Sequence, residues 1–173
     1  MDLRNNGGGS SDVGNGILAY LTDKPFATQV WRTREYHPSF RAWGFGLQSY
    51  TEPKNDSEPK AGKFYAKPVV VLTSARTGSA AEDFCVGFDI MKRGTMIGEP
   101  TAGSTGQPLF FTLPGGLGAR VCTKHDNYPD GKEFVGVGIQ PDIVIHPTVE
   151  DVRADRDAAL IAATRYLKEK VAR

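Results

Sequence analysis

The apolar run KPVVVLTS at residues 67–74 constrains the fold more than any other stretch of the chain. It is continuous and β-branched, which is typical of a strand whose two faces are both covered by helices, as in a parallel sheet. A turn of small residues follows, and an apolar periodic stretch after it predicts a helix from Ser79 to about Lys92. The sequence therefore predicts a strand–turn–helix unit in an α/β domain.

The remaining elements alternate in the same way. Strands and helices follow one another along 173 residues, a length that suits one domain, so we predict a single layered α/β domain over residues 1–173. The predicted elements are a helix over 13–21, strands or a strand and an irregular arm over 27–36 and 40–50, a polar loop over 51–63, a strand and turn over 94–103, a hairpin over 107–126, a turn and strand over 130–145, and a helix over 152–173.

Composition excludes several function classes. The chain carries 21 basic and 20 acidic residues, so no charge excess favours nucleic acid or an anionic membrane, and no apolar run is long enough to span a bilayer. Its two cysteines match no metal spacing; Cys85 is predicted to be a buried free thiol, and the redox state of Cys122 stays open. The glycine turns lack a P-loop lysine and dinucleotide spacing, so we expect neither a metal nor an organic cofactor.

Ser79 supports two interpretations on residues alone. With Glu82 three residues later it forms the pattern of a capping box, in which Glu82 only favours the start of the helix. A serine on a tight strand-to-helix turn can also be a nucleophile that lies beside unpaired backbone donors. Both interpretations stay open at this level.

Four stretches, in order, are DLRNNGGG, VVVLTSARTGSAAEDF, IGEPTAGS and GVGIQPDIVI. Together they resemble the protease domain of the C-terminal-processing (tail-specific) serine proteases, a family that includes the tricorn protease core and the interphotoreceptor retinoid-binding protein repeats. The resemblance implies a crotonase-like α/β fold, with a mixed or largely parallel sheet flanked by helices. It also implies peptide-bond hydrolysis by a serine nucleophile.

The same resemblance assigns roles to individual residues. Ser79 matches the nucleophile, and the backbone N–H of Ala80 matches one donor of the oxyanion hole. The second donor matches Gly9 of the glycine turn, with Gly8 as the neighbouring candidate. A glycine turn suits this role because no side chain blocks the approach to the oxyanion.

The general base departs from the family pattern. Ser104 occupies the position of the family lysine, and a serine hydroxyl cannot accept the nucleophile's proton as a neutral lysine could. The tricorn-like branch uses an upstream histidine and a downstream glutamate, to which Glu133 is the nearest match. We therefore expect the chain to be the C-terminal portion of a protease domain cut from a longer protein. Its base would lie upstream, and these residues alone would be inactive.

Other polar residues receive structural interpretations. His37 and His125 are predicted to lie at the surface, and His146 ends a strand without a metal partner at a usable spacing. Lys92 and Lys124 are predicted to be solvated. Asp142 is predicted to fix the turn before the last strand.

The predicted function is therefore that of a serine endopeptidase acting on a peptide or protein bound as an extended strand. The alternative is a non-catalytic lipid-, retinoid- or peptide-binding module on the same fold. For the full-length protein we expect a periplasmic, envelope-associated or secreted location, with the cytoplasm left open. The sequence makes no prediction of the oligomeric state.

Overall fold

A computed structural model describes residues 1–54 and 56–172. Residues 55 and 173, which fall in the predicted loop over 51–63 and at the end of the predicted C-terminal helix, lie outside the described residues. The elements in chain order are α1 (Ser11–Leu18), β1 (Phe26–Ala27), β2 (Val30–Glu35), α2 (Pro38–Ala42), β3 (Gln48–Thr51), β4 (Asp56–Ser57), β5 (Val70–Thr73), α3 (Ala80–Ile90), β6 (Thr95–Gly98), β7 (Pro108–Thr112), β8 (Gly118–Cys122), β9 (His125–Asn127), β10 (Ile143–Val144), α4 (Val149–Arg153) and α5 (Ala158–Val171).

A parallel sheet in the order β10-β6-β5 forms the centre of the fold. The first residues of the chain extend it, because Asp2 pairs with Leu72 in a parallel bridge on the free side of β5. The N–H of Leu3 donates to the Leu72 carbonyl at 2.9 Å, and the Leu72 N–H donates to the Met1 carbonyl at 2.9 Å. Four chain segments therefore run side by side in one direction.

Helices cover both faces of this sheet. On one face Val71 and Met96 pack with Phe84 and Phe88 of α3, which itself packs against α1. On the other face Val70 and Leu72 pack with Ala163 of α5. Successive residues of β5 thus enter different cores, as the period of two in a strand requires. The predicted α/β fold, with a strand buried on both faces, is confirmed.

Antiparallel elements surround this core. The strands β3, β2 and β9 form one sheet in that order, and β1 pairs with β4. The strands β7 and β8 form the predicted hairpin, whose turn is closed by the Leu113 N–H donating to the Leu117 carbonyl at 2.8 Å.

One predicted element was wrong and one was correct only in part. The segment over 40–50, interpreted as a strand or an irregular arm, ends in strand β3 but begins inside helix α2, because Pro38 at a first helical position presets the backbone for a helix. The predicted single C-terminal helix is two helices, since Asp155 takes a positive φ of 49° between them. Each helix has its own cap: Thr148 accepts a hydrogen bond from the Asp151 N–H, and Asp157 accepts one from the Leu160 N–H.

Candidate active site

The parallel sheet brings three turns to one edge. Residues 1–3, β5 and β6 run in the same direction, so the glycine turn, the turn before α3 and the turn at 99–105 all follow carboxyl ends of neighbouring segments. The turns are tied together, since the Gly78 N–H donates to the Asn6 carbonyl at 3.1 Å and the Ala102 N–H donates to the Thr77 carbonyl at 2.8 Å. This edge is where open α/β sheets bind their ligands.

Ser79 lies at this edge in a strained backbone conformation. It is the N-cap of α3 with φ 54° and ψ −131°, a region that residues with a side chain rarely adopt. Such a residue costs about 1–3 kcal/mol and persists only where its surroundings hold it in place. Here the Ser79 N–H donates to the carbonyl of Ser104 at 3.1 Å and to Oε2 of Glu82 at 3.1 Å.

Ser79 and Glu82 form a capping box at the start of α3, but the Ser79 hydroxyl is not the main acceptor in it. One of the two hydrogen bonds of such a box is the one that the Glu82 carboxylate accepts from the Ser79 N–H. The Glu82 N–H, however, donates to the Ser79 carbonyl at 2.6 Å, and the serine side chain makes no cap hydrogen bond in the described part of the chain. Ser79 is half-buried and lines a cleft, so its hydroxyl can be reached by a ligand.

The glycine turn touches Ser79 at Gly8. A Cβ added to Gly8 would lie 2.5 Å from the Ser79 Cβ and 3.0 Å from the Ala80 nitrogen, so only glycine fits there. The Gly8 N–H donates to the Asn6 side chain at 3.0 Å, whereas among the described residues no hydrogen bond involves the N–H of Gly9 or of Ala80. Gly8 therefore makes the close approach, and Gly9 and Ala80 keep unused donors.

Glu82 is the hub of this region. Its side chain is 0% exposed. Within the described chain Oε1 accepts from the Thr101 hydroxyl and the Gly103 N–H, and Oε2 accepts from the Ser104 N–H and the Thr105 hydroxyl in addition to Ser79. The prediction that Glu82 only favours the helix start was incomplete, because its carboxylate joins the start of α3 to the turn at 101–105. A buried charge needs this many donors to offset its desolvation.

A second buried carboxylate group lies next in sequence. Asp83 accepts from the Ser11 hydroxyl at 2.6 Å, and burial raises its pKa to about 6, with the charges of Asp126 and Glu82 acting in the same direction. Burial also raises the pKa of Asp126. The ammonium of Lys124, whose Nζ lies 2.6 Å from Oδ1 of Asp126, acts on this pKa in the opposite direction. The prediction that Lys124 is solvated was wrong, because its side chain is only 17% exposed and pairs with a fully buried partner.

The remaining predicted residues separate into two groups. Ser104 is exposed and lines the same cleft as Ser79. Glu133 is also exposed but lies outside that lining, with its Oε1 3.3 Å from Nε2 of His125 and 3.5 Å from the Arg32 guanidinium. The structure therefore brings Ser104, but not Glu133, to the cleft of Ser79.

The other histidines and charged residues lie away from this cleft. His37 is 3.8 Å from Glu35, His146 is 3.2 Å from Glu99, and Lys92 pairs with Asp89 at 2.6 Å. Asp142 has the predicted structural role, because its carboxylate accepts from the Met96 N–H at 2.8 Å and ties the last turn to β6. Cys85 is the predicted buried free thiol, and burial raises its pKa to about 12.

The cleft around Ser79 has a volume of about 480 Å³, and we refer to it as the Ser79 cleft. Its turns contribute Gly7, Ala75, Arg76, Gly78, Ser79, Ala102 and Ser104. The β7–β8 hairpin and the segment before it contribute Gly106, Pro108, Arg120 and Cys122. Sequence reasoning missed Arg76, Arg120 and Cys122. The period of two along β8 could have placed Arg120 and Cys122 on one face, but not the hairpin beside the serine.

The described residues contain neither a metal-binding cluster nor a membrane-spanning helix. No group of three histidine, cysteine or acidic residues there could hold a metal ion. None of the helices described has the length and apolarity needed to cross a membrane.

The chain is similar to known processing proteases in sequence and in fold. The C-terminal processing peptidase of Tetradesmus obliquus, a chloroplastic protein, is 27% identical over 149 residues, which are 86% of this chain and 29% of that protein. The solved photosystem II D1 C-terminal processing protease matches with a TM-score of 0.58 and 26% identity, over 86% of this chain and 34% of that one. Mature CPAF in complex with lactacystin has the same fold, with a TM-score of 0.77 at 19% identity over 97% of this chain and 42% of that one.

The chain thus spans less than a third of the length of that curated relative. The family model described as peptidase family S41 matches residues 1–145, which include the glycine turn, Ser79 and the turn at 101–105. The chain belongs to peptidase family S41.

Proposed function

We propose that this chain carries the nucleophile and oxyanion hole of a serine peptidase, and that Ser79 attacks the scissile carbonyl to form an acyl-enzyme. The observation that carries the proposal is the strained backbone of Ser79 at the strand-to-helix turn. A serine held in this way, with a hydroxyl that a ligand in the cleft can reach, is the arrangement of a nucleophile elbow. Strain of this kind concentrates at functional sites.

The oxyanion hole would be formed by the N–H of Ala80 and an N–H of the glycine turn. Gly9 is the better candidate for the second donor, because the Gly8 N–H already donates to Asn6. Gly8 would instead allow the turn to approach Ser79 without a clash. Each such donor contributes about 3–4 kcal/mol to transition-state stabilisation in serine proteases.

The general base would come from outside residues 1–173. Among the residues that line the Ser79 cleft none is a lysine or a histidine, and Ser104 cannot act as a base at neutral pH. A tricorn-like arrangement, in which a histidine takes the proton of Ser79 and returns it to the leaving amine, fits this composition. Glu133 is our candidate for the acid that orients this histidine, although in residues 1–173 its carboxylate lies outside the Ser79 cleft, near His125 and Arg32.

The substrate would be a peptide segment near a protein C-terminus, bound as an extended strand. This proposal is supported by the names of the relatives, which are C-terminal processing peptidases. We also propose that the full-length protein acts outside the cytoplasm, in the periplasm, at the cell envelope or after secretion.

Labelling by a fluorophosphonate probe tests the proposal. The protein is extended upstream to the length of its curated relatives and compared with its Ser79→Ala and Ser104→Ala variants. We expect labelling of the parent and of Ser104→Ala, and none of Ser79→Ala. Residues 1–173 alone should react at least 100-fold more slowly, because their serine lacks a base. A folded extended protein that is not labelled would favour the binding-module alternative.

A further inference from the structure

Two arginines line the Ser79 cleft, one on the turn before α3 and one on the β7–β8 hairpin. Arg76 lies three residues before Ser79 in the turn between β5 and α3. Arg120 lies in β8, directly opposite Phe110 in the hairpin register, and shares its side of the strand with Cys122. The backbone of Arg76 is fixed, because its N–H donates to the Ser74 hydroxyl at 3.1 Å.

Neither guanidinium has a partner within the described part of the chain. The ion pairs found there use other arginines, such as Arg4 with Asp2 and Arg156 with Asp151. The residues that line the Ser79 cleft include no aspartate or glutamate. Two arginines therefore line one cleft that has no negative charge in its lining, which favours a ligand of opposite charge.

The buried carboxylate beneath the cleft does not supply that charge. Glu82 is 0% exposed, and both its oxygens already accept hydrogen bonds from the N–H groups and hydroxyls around them. It has no oxygen available to a guanidinium at the surface. The positive end of α3 also points toward the cleft at Ser79, which adds to the preference for an anion.

We infer that Arg76 and Arg120 form a carboxylate-binding subsite, and that the peptide bound in the Ser79 cleft presents a negative charge to them. Arginine suits this role because its planar fork binds a carboxylate through two parallel hydrogen bonds. The subsite follows from the cleft alone. Its assignment to a peptidase substrate rests on the proposed function.

The carboxylate can come from two sources. One is the side chain of an aspartate or glutamate near the scissile bond, and the other is the α-carboxylate at the end of the peptide. Both present the same planar anion. Four short fluorescein-labelled peptides of alanine separate them: each carries a central glutamate or glutamine, and each ends in a free or an amidated carboxyl group.

Fluorescence anisotropy with residues 1–173 measures the dissociation constant of each peptide. We expect at least one of the two negative groups to tighten binding about tenfold over its neutral counterpart. The Arg76→Gln/Arg120→Gln variant should remove this difference. The control variant Arg153→Gln/Arg165→Gln loses the same charge from exposed positions on α4 and α5. It should still bind the charged peptides more tightly than the neutral ones.

The outcomes also separate this inference from the proposed function. A glutamate effect identifies a side-chain carboxylate, an effect of the free terminus identifies the α-carboxylate, and either supports the subsite. Equal binding of all four peptides, no binding at all, or a preference that survives in Arg76→Gln/Arg120→Gln overturns it. Charge-selective binding without fluorophosphonate labelling of the extended protein would support the subsite and contradict the peptidase, so the subsite would belong to a binding module. Labelling without charge-selective binding would support the peptidase and contradict the subsite.

Discussion

One wall of the Ser79 cleft is held by buried hydrogen bonds, whereas the opposite wall is a two-stranded hairpin with mostly exposed side chains. The inner wall consists of the start of α3 and the turn at 101–105, which Glu82 joins. The hairpin wall consists of β7 and β8, in which Phe110 is 69% exposed. The inner wall holds the strained serine in one geometry, and the hairpin wall carries side chains that can select a ligand.

This difference follows from what each wall must do. A nucleophile and its oxyanion donors need fixed positions, because small displacements of reacting groups cost large factors in rate. A surface that selects substrates tolerates more freedom, and an isolated two-stranded hairpin has little stability of its own. Stability should therefore be concentrated in the inner wall.

The largest effect is expected for Glu82→Ala. This change removes an acceptor from five buried or partly buried donors, of which only the Ser79 N–H and the Thr105 hydroxyl keep a second acceptor, and we expect a loss of about 3–5 kcal/mol in the free energy of unfolding. Urea denaturation of residues 1–173 measures it. Glu169→Ala removes an exposed carboxylate from α5 and should change the value by less than about 0.5 kcal/mol. A loss equally small for Glu82→Ala would contradict the role of the inner wall.

A smaller effect of opposite sign is expected for Asp83→Asn at pH 7. Burial raises the pKa of Asp83 from the ordinary 3.8 to about 6 in the folded protein, so its protonated form favours folding. That contribution is complete below about pH 4 and is lost as the pH rises through about 6, in total on the order of 3 kcal/mol. Asparagine cannot ionise, so the variant should be the more stable one at pH 7.

The pH dependence provides the check on this prediction. The gain of Asp83→Asn over the parent should grow between pH 4 and pH 7, measured by urea denaturation at each pH. Asp126, Glu82 and Lys124 face Asp83 in both proteins, so the difference between the two proteins reports the loss of the Asp83 carboxylate. Asp23→Asn, at an exposed position, should show no such trend. A gain that is constant with pH would contradict ionisation of Asp83 as its cause.

The sequence predicted the structural elements that depend on local patterns of residues. The β-branched run at 67–74 predicted a strand buried on both faces, and the stretch after Ser79 predicted α3. Both follow from side-chain periodicity over neighbouring residues. The division of the C-terminal helix at Asp155 escaped prediction, because a single residue of positive φ leaves little trace in an amphipathic pattern.

The role of Glu82 could not be predicted in the same way. Its spacing from Ser79 is that of a capping box, and the donors that give it another role lie about 20 residues downstream in the turn at 101–105. Only the pairing of β5 with β6 brings that turn to α3. Lys124 was mispredicted for a related reason, since its partner Asp126 is buried by packing that no local pattern reveals.

The smallest effect is expected for Phe110→Ser in the hairpin wall. Because most of the Phe110 side chain is already in water, its replacement removes little buried apolar area, and the free energy of unfolding should change by less than about 0.5 kcal/mol. Urea denaturation at two protein concentrations measures it. A loss above about 1.5 kcal/mol would mean that Phe110 is packed in solution. If that loss increased with protein concentration, the hairpin wall would be covered by a second copy of the chain, and the contrast between the two walls would then hold only for the isolated protomer.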